Sequence, residues 1–135
     1  FAPRGARMWS QCVLVAAEPG VQGLRLVSTA AAIAAECSLP LHLVYVTATD
    51  KPAADTDSFL AQAYATALNA GVALHAEVRH GKAFSEILAA AEAAQADLLV
   101  IGSRNVSHLG HAMIGGVAQK IIGLSDKPVL ALNLT

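Results

Sequence analysis

Aromatic residues are scarce: Phe, Tyr and Trp together make up 4% of the 135-residue chain. Any core built from it must be aliphatic. Much of the 55% apolar share is alanine, in runs such as Ala30-Ala31-Ala32 and Ala89-Ala90-Ala91. Alanine is the best helix former and lets a helix approach its neighbouring layer closely. Charge is scarce too, at 14% of residues with a formal net charge of -1. No basic stripe exists, which excludes the electrostatic footprint of a nucleic-acid binder. So little charge on a small domain points to some surface being covered in an oligomer. No apolar run reaches the roughly 18 residues needed to span a bilayer. The longest stretches are broken by Glu36, Glu86 or Glu92, so the apolar share reads as buried sheet and alanine helix.

The two cysteines, Cys12 and Cys37, stand in no CxxC or Cys/His cluster. They read as small core residues in a reducing, cytoplasmic compartment. GxGxxG and GxSxG are absent, and GKAFSE at Gly81 lacks the upstream glycine of a P-loop. No Ser/His/Asp order emerges, so no catalytic residue is assigned. Residues 1–8, with Pro3 and Gly5, read as a leader, tag remnant or linker, and residues 9–135 as one domain.

Five short apolar runs alternate with helical patterns. Cys12–Ala17, CVLVAA, is continuous and β-branched, as suits a strand buried on both faces. EPGVQG reads as a turn, followed by a helix over about Val21–Cys37 with apolar positions every three to four residues. Leu41–Thr47 is the second strand. After a polar loop, Asp57 or Ser58 is a candidate cap for a helix over Phe59–Ala70, and Gly71 suits its left-handed end. Val72–Val78 alternates, with His75 and Glu77 opposite Leu74 and Ala76, as expected of a half-exposed edge strand. A helix over Phe84–Gln95, a strand over Asp97–Ile101, a Gly-containing loop and a helix over Met113–Leu124 follow. Pro128 introduces the last strand, PVLALNL. This alternation predicts an α/β fold with a mostly parallel five-stranded sheet and helices on both faces.

Ligands of such sheets bind beyond the carboxyl ends of the strands. Two loops therefore matter most: Glu18-Pro19-Gly20 after the first strand, and Gly102–Val117 after the fourth. Here the chain resembles the universal stress proteins. VLVAAEPG stands where that family has an ILVPVDGS-like run, and LHLVYV stands for LHLLHV-like text. GKAFSEIL, QADLLVIG and KPVLAL match further family segments in order. The resemblance implies a Rossmann-like sheet of order 3-2-1-4-5. It also implies the nucleotide motif of Gly, two residues, Gly, nine residues, Gly, then Ser or Thr. In register, this falls on Gly102, Asn105, Gly115 and Gly116. The spacing is intact and two identities are changed.

Backbone N–H groups of such a loop and the following helix N-terminus hold an anion. Asn105 is the next best residue after glycine for a left-handed angle. Gly116 lacks the hydroxyl that would bond a terminal phosphate, a loss of about 0.5–1.5 kcal/mol. The resemblance further places Ala17 and Glu18 at the ribose or adenine, Val46 at adenine, and Ile101 and Val117 around the pocket. Arg104 is a charge-assisted donor toward phosphate. Expected ligands are ATP or AMP, with Mg only beside ATP, and at most slow hydrolysis. A homodimer through the apolar edge Val129–Leu132 is also implied.

Competing readings stay open. One is an interaction module without nucleotide, excised from a larger protein such as a transporter or sensor. Another is an electron-transfer or adenine-hydrolase enzyme on a related sheet. His108 and His111 are loop residues, phosphate neighbours or two ligands lacking a third. Asp50, Asp55 and Asp57 read as helix capping and solvation before a metal loop.

Overall fold

The computed structural model of the protein describes residues 11–48, 54–106 and 112–133, without the side chains of 104–106 and 112–114. Residues 1–8, Asp50, Pro52, His108 and His111 lie outside the described residues. The elements in order are β1 (Val13–Ala16), α1 (Val21–Cys37), β2 (Leu41–Thr47), α2 (Thr56–Asn69) and β3 (Leu74–His80). Then come α3 (Ala83–Ala94), β4 (Leu98–Gly102), β5 (Arg104–Val106), β6 (Ala112–Ile114), α4 (Gly116–Leu124) and β7 (Val129–Leu132).

Five strands form one sheet of order β3-β2-β1-β4-β7, and every pairing in it is parallel. That is the expected topology, with β7 as the fifth strand. Alternate residues of each continuous apolar run feed two separate cores. Val13 and Val15 join Leu41, Leu43 and Val100 under α1 and α2. Leu14, Val44, Leu99 and Ile101 pack under α3 and α4. Leu14 and Leu99 are fully buried, and each such side chain stabilises the fold by about 1.5–3 kcal/mol. Ala30, Ala31 and Ala34 bring α1 down onto the sheet, which explains the alanine content and the near absence of aromatics.

Three helices end in the same way. In α2, the Val72 N–H reaches Ala67 O at 2.9 Å and the Gly71 N–H reaches Leu68 O at 3.0 Å. Gly71 sits at φ 75, as its position before a strand predicts. α1 and α3 use the same bond pattern with Ser38 and Gln95 in the left-handed conformation, and neither is glycine. Among the described residues no helix is long and apolar enough to cross a membrane.

The structure corrects several boundaries. α2 starts at Thr56 with Asp55 at its N-cap, ahead of Asp57 and Ser58, and no side chain caps it. β3 lies two residues further along than Val72–Val78, because its pairing with β2 runs from Leu74 to His80. α1 keeps its expected range, Val21–Cys37, so the turn before it closes at Gly20 and Gly23 lies inside the helix. The final helix does not begin at Met113. Residues 112–114 instead pair antiparallel with Arg104–Val106 as a separate two-stranded ribbon.

Candidate functional site

The strand order reverses between β1 and β4. The chain winds from β1 to β3 on one side and from β4 to β7 on the other. A cavity of about 400 Å3 opens at the carboxyl ends of these strands, within the ~300–1,000 Å3 typical of small-molecule sites. The strand ends contribute Ala16, Ala17, Val44, Val46, Ile101, Gly102 and Leu132. Glu18 and the first turns of α1 add Gln22, Gly23 and Leu26, while α4 adds Val117, Ala118 and Ile121. Ala83 and Ile87 complete it from α3.

Two helix N-termini therefore meet at one cavity. In α4 the first intrahelical bond is Gln119 N–H to Gly115 O at 3.0 Å. The N–H groups of Gly116, Val117 and Ala118 precede that bond and have no partner within the helix. In α1 the first bond is Leu24 N–H to Gly20 O at 3.0 Å, which leaves Val21, Gln22 and Gly23 in the same position. Both ends carry partial positive charge and suit an anion. The Gly115 N–H is already engaged, donating to Ser103 O at 3.0 Å. That bond ties the start of α4 to the end of β4.

Of the ten residues singled out from the sequence, the cavity gathers Ala17, Glu18, Val46, Ile101, Gly102 and Val117. Gly115 and Gly116 stand beside Val117 as N-cap and first residue of α4, outside the lining. Arg104 and Asn105 lie on β5, and their side chains are outside the described ones. Asn105 occupies an extended strand opposite Met113, not a left-handed turn. Gly102 is the last residue of β4, and Gly115 is extended at φ -67, ψ 154. None of Gly102, Gly115 and Gly116 holds a left-handed backbone angle. A Cβ added at Gly102 or Gly116 would meet nothing within 4 Å.

The sequence reading missed Gly23 and the α4 positions Ala118 and Ile121. Gly23 had a signal, a glycine three residues into a helix just after the first strand. A Cβ there would collide with the backbone oxygen of Glu18 and lie 3.3 Å from the Phe59 ring. The close approach of helix to loop that shapes this end of the cavity requires glycine. Ala118 and Ile121 are ordinary helical core positions in sequence, so nothing local marked them.

The profile of the Universal stress protein family matches residues 11–133. A universal stress protein of Methanocaldococcus jannaschii is 36% identical over 63 residues. That match takes in 47% of this chain and 37% of the relative, so the chain matches well under two thirds of the relative's length. Among solved structures, a universal stress protein in complex with cAMP superposes with a TM-score of 0.76 at 24% identity, covering 94% of this chain and 99% of that one. A universal stress protein family protein from Arabidopsis thaliana with AMP bound superposes at 0.70 and 17% identity, covering 93% of each chain.

Proposed function

The chain belongs to the universal stress protein family, and from that premise we propose that it is a regulatory domain binding an adenine nucleotide between β1 and β4. The observation that carries this reading is the cavity itself, open where the strand order reverses and flanked by the N-termini of α1 and α4. The solved relatives with cAMP and AMP support it. Ile101 and Val117 offer apolar contact to adenine and Val46 faces it through its backbone, Ala17 and Glu18 approach the ribose or adenine, and the N–H groups at the start of α4 receive phosphate. Arg104, Asn105, Gly115 and Gly116 complete the phosphate side. Gly116 brings no hydroxyl there, so AMP and cyclic AMP retain more of their contacts than ATP does. Mg would enter only with ATP. Turnover in this reading is at most slow ATP hydrolysis, and the bound nucleotide acts chiefly as a signal.

Isothermal titration with ATP, ADP, AMP and cyclic AMP tests this, with protein well above micromolar. Absence of heat from all four sinks the nucleotide reading. A Gly102→Leu variant sharpens the test, because its side chain enters open space next to the cavity. It should keep its thermal midpoint and lose nucleotide affinity by roughly tenfold or more, about 1.4 kcal/mol.

A homodimer through β7 belongs to the same reading. β7 ends the sheet, and its residues Val129–Leu132 are all only half-buried. A bare apolar edge invites pairing, and a monomer in sedimentation at tens of micromolar would rule this out. Cys12 and Cys37 are both free, which fits a reducing, cytoplasmic setting. The second reading, an interaction module without nucleotide, draws on the two altered motif positions, Asn105 and Gly116. It would gain if the titrations were silent.

A further inference from the structure

The polar face of edge strand β3 is not a plain solvated surface. His42 on β2 and His75 on β3 are register partners, with ring centroids 4.7 Å apart. Glu77, two residues along β3, lies on the same face. Its Oε2 is 2.7 Å from His42 Nε2. Its Oε1 accepts from Arg79 Nη1 at 2.8 Å, and Arg79 Nε donates to Glu86 Oε1 on α3 at 2.9 Å. One ligand atom from each of His42, His75 and Glu77 lies within 4.8 Å of the other two. The His42 side chain is 13% exposed and that of Glu77 29%, while His75 is exposed. The cluster is thus anchored on one side and open on the other.

We propose that His42, His75 and Glu77 form a site for one divalent transition-metal ion of the zinc class. Two imidazoles and one carboxylate are a donor set that suits such ions, with water in the open fourth position. Ligand atoms around tetrahedral zinc lie about 3.3 Å apart, given bonds near 2.0–2.2 Å. Closing the cluster from its present spread takes about 1.5 Å at most, and rotation of the exposed His75 side chain supplies it. The ion takes the place of the proton between His42 Nε2 and Glu77 Oε2. Binding of the ion releases that proton from Nε2, as metal binding to imidazole requires.

Arg79 holds the other carboxylate oxygen and so orients the ligand, the usual task of an outer partner. Its positive charge opposes the ion, and Glu86 offsets it. Burial alone would raise the Glu77 carboxyl, but hydrogen bonds from His42 and Arg79 outweigh it and hold the group below its ordinary range. Glu77 is therefore already an anion. His42 and His75 stand near the starts of β2 and β3 and Glu77 at the middle of β3, and none of the three lines the nucleotide cavity at the carboxyl ends of the strands.

The test is zinc titration of the chelator-treated full chain by calorimetry, with cobalt as a visible-absorption probe of coordination. One equivalent should bind, cobalt should give tetrahedral bands, and His75→Ala and Glu77→Gln should each weaken binding by roughly tenfold or more. Both variants are checked for an unchanged thermal midpoint without metal. Gly102→Leu should bind zinc as the parent does. No zinc heat, full binding by both variants, or loss of binding only in a His108→Ala, His111→Ala double variant would each overturn the proposal.

Discussion

Replacing Gly23 by alanine should destabilise the fold, against the usual rule for helix interiors. In an open helix this change gains about 1 kcal/mol from propensity. Here the added Cβ would lie 3.0 Å from the carbonyl carbon of Glu18, and deep inside contact distance of its oxygen. Ordinary carbon contacts lie near 3.5–4.0 Å. The obstacle is backbone on one side and the Phe59 ring, at 3.3 Å, on the other, so neither yields by a simple rotamer change. Overpacking of this kind costs about 3 kcal/mol at the upper end of its usual range. After the propensity gain, the net loss should be about 2 kcal/mol. In a domain of this size that lowers the thermal midpoint by about 6–10 °C. Urea unfolding followed by circular dichroism measures it. Gly123→Ala is the matched control, since Gly123 is exposed near the end of α4 and its Cβ would meet nothing within 4 Å. That variant should be more stable by about 0.5–1 kcal/mol. If Gly23→Ala is as stable as the parent, the close approach of α1 to the Glu18 loop is wrong. The shape given to that end of the cavity would then be wrong with it.

Three other outcomes can be measured separately. Ser38 holds φ 56, ψ 41 at the end of α1, so Ser38→Gly should stabilise by up to about 1 kcal/mol, read as a rise in urea midpoint. Asp97 Oδ2 accepts the N–H groups of Gln11 at 2.7 Å and Cys12 at 3.0 Å, which anchors the entry to β1. Asp97→Ala should cost about 1.5–3 kcal/mol, and an unchanged midpoint would count against that anchor. Burial, and secondarily the nearby Asp97 charge, push the Cys12 thiol up. In native protein at pH 8, Ellman's reagent should leave Cys12 unmodified, and a Cys37→Ser variant should show no fast-reacting thiol.

Much of the fold was legible because its signals are local. Continuous apolar runs separated by amphipathic stretches specify parallel strands under helices on both faces. Gly71 marked a helix end because a left-handed angle there favours glycine. Ser38 and Gln95 perform the same task without such a marker, so their turns were not legible. The ribbon of β5 and β6 was missed for another reason. Ala112–Ile114 looks like the start of a helix in isolation, and only pairing with Arg104–Val106 makes it a strand.

The sequence by itself determined the parallel α/β class, the two-sided cores and the end of the sheet where the cavity opens. Those follow from periodicity and strand–helix alternation, which need no knowledge of neighbours. Tertiary structure decided what faces the cavity, since strand order brings Glu18 of the β1–α1 loop together with Val46, Gly102 and Val117 from three separate elements. It also decided the partner of Glu77. His42 lies 35 residues away along the chain, and it meets Glu77 only because β2 and β3 pair in one register. Local pattern states which face a residue occupies. Only register and strand order state what it meets there.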